Sequence, residues 1–258
     1  MKFNLKGVAG VLGLSVLLAA CGIDTNPDAK SGYYWAIPET QAMQDDDFDN
    51  PAMLWVSIGE EEWEKVDGEA GKSCAACHGD VSSMKGVAVE YPKYNAELKK
   101  PLNMELQINK CRVDNMKAKP YKYESDQLLG LTALVNMQSR GMPQQVKVDG
   151  NMEPFFEAGK EFYNARQGQM QLACKNCHDD YFGFNARANT LTQGQINGFP
   201  TYRLKWQKPG STHRRFRGCQ SNVRANRLDY GADEYVNLEV YIKWKGRGLP
   251  IETPSVRN

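Results

Sequence analysis

The sequence predicts a mainly α-helical chain that contains two tandem domains built on one plan. Three observations predict it: residues of the first half recur in the second half, each half carries one Cys-x-x-Cys-His motif, and helical patterns occupy matching places in both halves. The chain has 258 residues, which is room for two domains. Its 41% hydrophobic and 24% charged residues are typical of a globular protein.

The first twenty residues are typical of an export signal, in which Lys2 and Lys6 precede the apolar stretch 8–20. That stretch is too short for a membrane span. It ends in Leu-Ala-Ala-Cys, which resembles a bacterial lipobox and predicts a lipid anchor at Cys21. The alternative is simple cleavage near Ala20. In both cases we expect a periplasmic protein with a signal peptide at 1–20 and a linker or anchor region at 21–44.

Helical patterns open and close each copy of the repeat. Apolar spacing predicts opening helices over 51–66 and 154–166, and closing helices over 125–139 and 232–245. Gly141 and Gly248 follow the closing patterns and are expected to stop them. These limits predict domains at 45–150 and 151–258.

The Cys-x-x-Cys-His motif is the attachment signal of a c-type haem. Two thiols spaced in this way add to the two vinyl groups of one porphyrin, and the adjacent histidine binds the iron. A zinc site would require four converging ligands instead. The sequence therefore predicts two covalently bound haems c, held by Cys74, Cys77 and His78 and by Cys174, Cys177 and His178.

The second axial ligand of each iron is predicted from the repeat. His213 is the one histidine outside the motifs, so it could serve one haem at most. Met142 corresponds to Leu249 in the second copy and cannot be a ligand common to both. Cys111 recurs as Cys219, which favours a thiolate ligand on each haem. A Cys111–Cys219 disulfide is the alternative.

A first helix, a haem motif, a long irregular loop with the second iron ligand and a last helix make up the plan of a class I cytochrome c. We therefore expect two tandem class I cytochrome c-like domains, each wrapped around one covalent haem. Strand patterns are weak.

Charge distinguishes the two copies around the repeated cysteine. The net charge of +1 argues against a generally basic nucleic-acid-binding protein. Arg215 stands where the first copy has Gln107, and the region around Cys219 is basic. Guanidinium groups bind oxyanions and lower a thiol pKa, which favours redox chemistry on an anionic sulfur compound. The basic residues between 203 and 227, a stretch with no acid, are Arg203, Lys205, Lys208, Arg214, Arg215, Arg217, Arg224 and Arg227.

From about Asp45 to Pro250 the chain resembles the diheme SoxA family of bacterial thiosulfate oxidation. The resemblance rests on the two haem motifs, on Cys111 and on the run from Arg214 to Cys219. It implies that Cys219 is an iron ligand that carries a persulfide, that Arg215 binds substrate, and that Cys111 is a plain thiolate ligand.

The resemblance also implies a function, L-cysteine S-thiosulfotransferase. Thiosulfate would be joined oxidatively to a cysteine of the carrier protein SoxYZ, and two electrons would pass through haem to the monohaem subunit SoxX. Two alternatives stay open. A thiosulfate dehydrogenase forming tetrathionate would need no carrier. A non-catalytic electron-transfer cytochrome would usually have Met or His ligands and no one-sided cationic pocket.

Overall fold

Both copies of the repeat contain two helices, a hairpin and two further helices in that order, and the second copy adds three strands, in the computed structural model, which describes residues 24–258. Helix α1 (Pro38–Asp45) precedes the first copy. The first copy contains α2 (Met53–Glu64), α3 (Cys74–His78), β1 (Lys93–Asn95), β2 (Lys100–Leu102), α4 (Met104–Met116) and α5 (Asp126–Met137). The second copy contains α6 (Glu153–Asn164), α7 (Cys174–His178), β3 (Asn185–Ala186), β4 (Asn189–Thr190), β5 (Thr201–Arg203), β6 (Lys208–Gly210), α8 (Thr212–Asn222), α9 (Asp233–Lys245) and β7 (Ser255–Arg257).

The opening and closing helices of each copy cross and enclose a core, as the apolar patterns predict. Helix α2 packs on α5 and α6 packs on α9. At the first crossing, a Cβ on Gly59 would overlap the backbone of Gly130. At the second crossing, a Cβ on Gly159 would overlap the carbonyl oxygen of Asn237. Glycine is therefore required where the helix backbones approach each other.

The prediction of a long irregular loop around the second iron ligand is wrong. A short antiparallel hairpin, β1–β2 or β5–β6, leads directly into a helix in each copy. Cys111 lies on α4 and Cys219 on α8. Each helix begins with a capping side chain: Asn103 accepts a hydrogen bond from Leu106 N, and Ser211 accepts one from Arg214 N. Both helices contain few apolar residues, so the apolar pattern of the sequence does not predict them.

The predicted helix stops also differ from the structure. Helix α5 ends at Met137 and α9 at Lys245, so both end before the glycines at 141 and 248. Gly141 and Gly248 adopt φ values of 79° and 89° in the turns that follow. They shape the exit turn, because this left-handed region favours glycine.

Side chains from both copies meet between α4 and α9. Asn103 donates a hydrogen bond to Glu239, and Lys100 lies 2.7 Å from Asp233. Strand β7 pairs in parallel with β5, and the β3–β4 hairpin lies in the extra residues between His178 and Phe199. The predicted boundary between 150 and 151 stays a prediction.

Within residues 24–258, no helix is long and apolar enough to cross a membrane. The predicted export signal and Cys21 lie outside the described residues.

Candidate functional site

The imidazole ring of His178 is held in one orientation in the second copy. It ends α7, and its Nδ1 lies 2.7 Å from the carbonyl oxygen of Thr192. A carbonyl only accepts, so Nδ1 carries a proton and Nε2 is the nitrogen left to bind an iron. Gly194 packs against the ring, where a Cβ would lie 2.9 Å from Cγ. This is the orientation of an iron-ligating histidine held by a backbone acceptor.

Cys219 lies next to His178 and is half-buried on α8. Burial, the largest single influence, raises the pKa of its thiol, but Arg215 lowers it, as do a hydrogen bond from His178 and the charge of Arg203. The balance places the pKa of Cys219 at about 6, below the ordinary value of 9.0. The local charges therefore favour a thiolate, the form that binds metal and attacks sulfur.

Arg215 lies one helical turn before Cys219, on the same face of α8. Among the described residues it has no carboxylate partner within ion-pair distance. Its neighbours on the helix are engaged: Arg214 pairs with Glu124 at 3.5 Å, and Arg217 donates to the carbonyl oxygen of Leu228. The charge of Arg215 therefore lowers the pKa of the thiols of Cys177 and Cys219.

The two remaining thiols of the motif belong to the same cluster. Burial raises the pKa of Cys174 to about 12, and the charge of Cys219 contributes in the same direction. The pKa of Cys177 is raised by burial and by Cys219 and lowered by Arg215. The fold therefore brings together the four predicted haem ligands of the second copy.

This donor set fits a c-type haem. Two thiols on one short helix suit the porphyrin vinyl groups, and an imidazole and a thiolate are both side chains that bind haem iron. Cys174 and Cys177 would hold the porphyrin, with His178 and Cys219 on the iron.

In the first copy, the repeated cysteine also lies near its own motif, but the residue one helical turn before it is neutral. Cys111 influences the pKa of Cys74, which burial raises to about 11, so the repeated cysteine again lies beside its own motif. Gln107, one turn before Cys111, donates a hydrogen bond from Nε2 to its Sγ at 3.2 Å. His78 lies against Trp63, with ring centroids 5.8 Å apart. The first site therefore has the same candidate ligands as the second site, but the guanidinium near its thiols, that of Arg112, is paired with Asp67.

Cys111 and Cys219 are not joined to each other. The six cysteines of the described chain are all free thiols, so the disulfide alternative is absent from residues 24–258. His213 belongs to neither motif: it is buried, and its Nε2 lies 3.1 Å from Glu239. It is therefore no candidate iron ligand in this fold.

The sequence does not identify Thr192 and Gly194, because nothing local marks a backbone carbonyl that will orient a distant histidine. The sequence showed Arg203 only as one of the eight basic residues between 203 and 227. A comparison of the two copies position by position could have found it, since Asn95 is its equivalent on β1.

Known proteins share this organisation. A family described as SoxA/TsdA, cytochrome c domain, matches residues 58–144. A protein of Pseudaminobacter salicylatoxidans named L-cysteine S-thiosulfotransferase subunit SoxA is 47% identical over 229 residues, which cover 88% of this chain and 80% of that protein. The protein of the same name from Paracoccus pantotrophus is 40% identical over 235 residues, covering 91% of this chain and 81% of that protein.

The fold agrees with the sequence comparison. The crystal structure of SoxXA from P. pantotrophus superimposes with a TM-score of 0.86 at 40% identity, over 88% of this chain and 86% of that one. The prediction of a mainly α, cytochrome c-like fold that binds haem c is confirmed. With such similarity over most of both chains, this chain belongs to the SoxA family.

Proposed function

We propose that this chain is the haem-containing subunit of an L-cysteine S-thiosulfotransferase that joins thiosulfate to a cysteine of the carrier protein SoxYZ. The observation that carries the proposal is Cys219, held beside His178 and one helical turn from Arg215. Relatives that are 40–47% identical bear the name of this activity.

The overall reaction balances as a two-electron oxidation. The outer sulfur of thiosulfate and the carrier thiol form one S–S bond, the thiol loses its proton, and two electrons leave. The product is a carrier cysteine S-thiosulfonate, in which the whole thiosulfate group is attached to the cysteine sulfur. A bound haem supplies the electron-accepting chemistry, and the monohaem subunit SoxX is the proposed recipient.

The protein side chains supply position and charge. Arg215 binds the sulfonate end of thiosulfate through charge-assisted hydrogen bonds, which places the outer sulfur beside Cys219. The cationic surroundings keep Cys219 in its anionic form, able to carry a persulfide sulfur. The hydrogen bond from His178 to Thr192 fixes the imidazole and so fixes the distance between the ligands.

We further propose two covalent haems, one for each motif. The first would be held by Cys74 and Cys77 with His78 and Cys111 on its iron, and the second by Cys174 and Cys177 with His178 and Cys219. A pyridine haemochrome assay should give two haems for each chain. One haem for each chain would contradict this assignment.

The working location is proposed to be the periplasm, because the sequence begins with an export signal pattern. A lipid anchor at Cys21 and simple cleavage near Ala20 make different mature proteins. The mass of the mature N-terminal peptide distinguishes them, since lipidation adds acyl chains to Cys21 and simple cleavage adds none.

Substitution of the two repeated cysteines tests the division of labour between the copies. Both Cys219→Ala and Cys111→Ala remove a proposed iron ligand, but only Cys219 lies in the cationic site. With SoxYZ, SoxX and thiosulfate present, Cys219→Ala should abolish formation of the carrier S-thiosulfonate. Cys111→Ala should retain much of it.

Haem content and far-UV circular dichroism establish that both variants are folded. Equal and complete loss of turnover in two folded variants would contradict the proposal. Omitting SoxYZ tests the alternative activity: if the parent then forms tetrathionate at an undiminished rate of thiosulfate consumption, the chain is a thiosulfate dehydrogenase instead.

A further inference from the structure

Each haem motif is preceded by a short loop, residues 67–72 in the first copy and 167–172 in the second. A β-bridge between its first and last residues closes each loop. The first thiol of the motif lies two residues after the loop. A loop that is fixed to another element therefore also fixes the start of its motif.

Both loops are bound to the end of the helix that carries the repeated cysteine. In the first copy, Ala70 N donates to the carbonyl oxygen of Met116 at 3.1 Å, at the end of α4. In the second copy, Met170 N donates to the carbonyl oxygen of Val223 at 3.3 Å, directly after α8. Each copy thereby joins the segment that leads into its two thiols to the helix that supplies its candidate thiolate ligand.

In the first copy an ion pair strengthens this connection. Arg112 directly follows Cys111, and only 4% of it is exposed. Its Nη2 lies 2.6 Å from Oδ2 of Asp67, the first residue of the loop. Its Nε donates to the carbonyl oxygen of Lys119 at 3.2 Å, and its Cζ lies 3.4 Å from the ring centre of Tyr121. The guanidinium is thus held on three sides beside the cysteine.

In the second copy the same connection is neutral. Gln220 directly follows Cys219 and is 7% exposed. Its Nε2 donates to Oε1 of Gln167, the first residue of the loop, at 3.0 Å. Its own Oε1 accepts a hydrogen bond from the hydroxyl of Tyr235 on α9. An ion pair in the first copy is therefore replaced by a pair of amides in the second.

The two connections resist separation to different degrees. A hydrogen bond between charged groups is about twice as strong as one between neutral groups. Separation of the first pair also leaves a buried guanidinium without its counter-charge, which is strongly unfavourable. Movement of α4 away from its loop therefore costs more free energy than the same movement of α8.

We propose that Arg112 is a positioning residue which, with Asp67, holds Cys111 firmly on the iron of the first haem, while the amide pair of Gln220 and Gln167 lets Cys219 leave its iron more readily. The first site then keeps both ligands while electrons pass, and the second site can exchange one. This inference rests on the proposed function for the presence of two haems.

Replacement of the thiolate by imidazole tests how firmly each cysteine is held. Imidazole is neutral above its pKa, so the charge of Arg215 does not attract it to the second site. The ferric, haem-loaded chain in complex with its partner cytochrome is mixed with imidazole. Stopped-flow absorbance follows the exchange, and electron paramagnetic resonance distinguishes iron with a thiolate ligand from iron with two imidazole ligands.

Two variants and one control isolate the connection. Arg112→Gln combined with Asp67→Gln places the amide pair of the second copy in the first copy. Gln167→Ala removes the amide pair from the second copy. The control, Lys110→Gln combined with Asp114→Asn, removes another ion pair of α4 that does not involve the loop.

The parent should lose its two thiolate ligands in two phases whose rates differ by about tenfold. The double variant of Arg112 and Asp67 should accelerate the slow phase by about tenfold and leave the fast phase unchanged. Gln167→Ala should accelerate only the fast phase, and it serves if the double variant does not fold. The control should change either phase by less than about twofold.

A single phase in the parent would overturn the inference. Unchanged rates in the double variant or in Gln167→Ala would overturn it as well, as would an equal acceleration by the control. If the phases respond as expected while SoxYZ is never modified, the positioning role of Arg112 stands and the proposed function fails.

Discussion

Arg215 and Gln107 occupy the same place, one helical turn before a repeated cysteine, but they offer different chemistry. Gln107 donates one neutral hydrogen bond to the sulfur of Cys111. Arg215 places a full charge beside Cys219 and lowers the pKa of that thiol. Both copies place a cysteine and a histidine at equivalent positions, so this residue distinguishes the second site as the one whose charge favours an anion.

Substitution by lysine tests whether Arg215 binds substrate or only contributes positive charge. If Arg215 grips a sulfonate through two parallel hydrogen bonds, Arg215→Lys should lower kcat/KM for thiosulfate by about 10- to 150-fold, because a lost charge-assisted contact costs about 1.5–3 kcal/mol. Arg224→Lys is the matched control, since Arg224 is exposed in the turn that follows α8.

Steady-state kinetics over a range of salt concentrations separate the two roles of Arg215. Salt should weaken both variants and the parent, while the gap between the two variants persists. Equal behaviour of Arg215→Lys and Arg224→Lys at every ionic strength would contradict substrate binding by Arg215. The basic residues between 203 and 227 would then serve as an electrostatic docking surface.

The sequence identifies the candidate ligand residues, which the fold brings together, but not the contacts that support them. Cysteine and histidine at haem spacing carry their chemistry in the residue type, so Cys219 and His178 could be proposed as iron ligands without a structure. Thr192 supports His178 through its backbone carbonyl, which every residue has. No sequence pattern could single it out.

The helix crossings are the elements on which both sites depend. Each crossing carries a glycine on the opening helix, and the motif helix follows directly after that helix. Apolar periodicity predicted these helices to within a few residues. It failed for α4 and α8, because several of their buried positions are polar, among them Glu105 on α4 and His213 and Gln220 on α8, so few apolar residues mark the buried face.

Gly159→Ala tests the close approach of α6 and α9. By helix propensity alone this substitution should stabilise the protein by about 1 kcal/mol. The added methyl group would overlap the carbonyl oxygen of Asn237, so we expect destabilisation by about 1–3 kcal/mol instead. Urea unfolding followed by circular dichroism measures the change.

The neighbouring exposed residue supplies the control for this crossing. Ala158→Gly lies on the same turn of α6 and should lose about 1 kcal/mol through propensity alone. Stabilisation by Gly159→Ala would show that the helices do not approach as closely as described.

At the scale of the whole molecule, a buried ionisable cluster connects the two copies. Glu105 on α4 is 7% exposed and faces Glu239 and Lys243 of α9. His213 lies 3.1 Å from Glu239 on another side. Tyr123 and Glu124, in the segment before α5, complete the group of titratable neighbours. The equivalent positions 105 and 213 thus meet at one carboxylate, which the sequence repeat alone could not predict.

This cluster predicts a pH dependence of stability. Burial, followed by the charge of Glu239, raises the pKa of Glu105 to about 8 from 4.5. A carboxyl group with a raised pKa holds its proton more firmly in the folded state, so its contribution is present at low pH and is lost as pH rises toward 8. Burial lowers the pKa of Lys243 to about 8 from 10.5, so its contribution changes only above that range.

Glu105→Gln should remove this dependence. Between about pH 5 and pH 8 the free energy of unfolding of the parent, measured with urea, should fall relative to that of Glu105→Gln, with a limiting slope of about 1.4 kcal/mol per pH unit. Glu97→Gln is the control, because that carboxylate is 74% exposed. Parallel midpoints for the parent and Glu105→Gln across this range would show that Glu105 is ionised in the folded protein.

The division of labour between two equivalent cysteines is the central claim, and mass spectrometry of the two cysteine peptides tests it most directly. Protein purified without reductant and digested under acidic conditions contains both peptides in one sample, so Cys111 serves as the internal control for Cys219. We predict that the Cys219 peptide carries the mass of one additional sulfur atom, that this mass is lost after reduction, and that the Cys111 peptide is unmodified. An additional sulfur on Cys111 alone, or on neither peptide after exposure to thiosulfate and SoxYZ, would contradict the account.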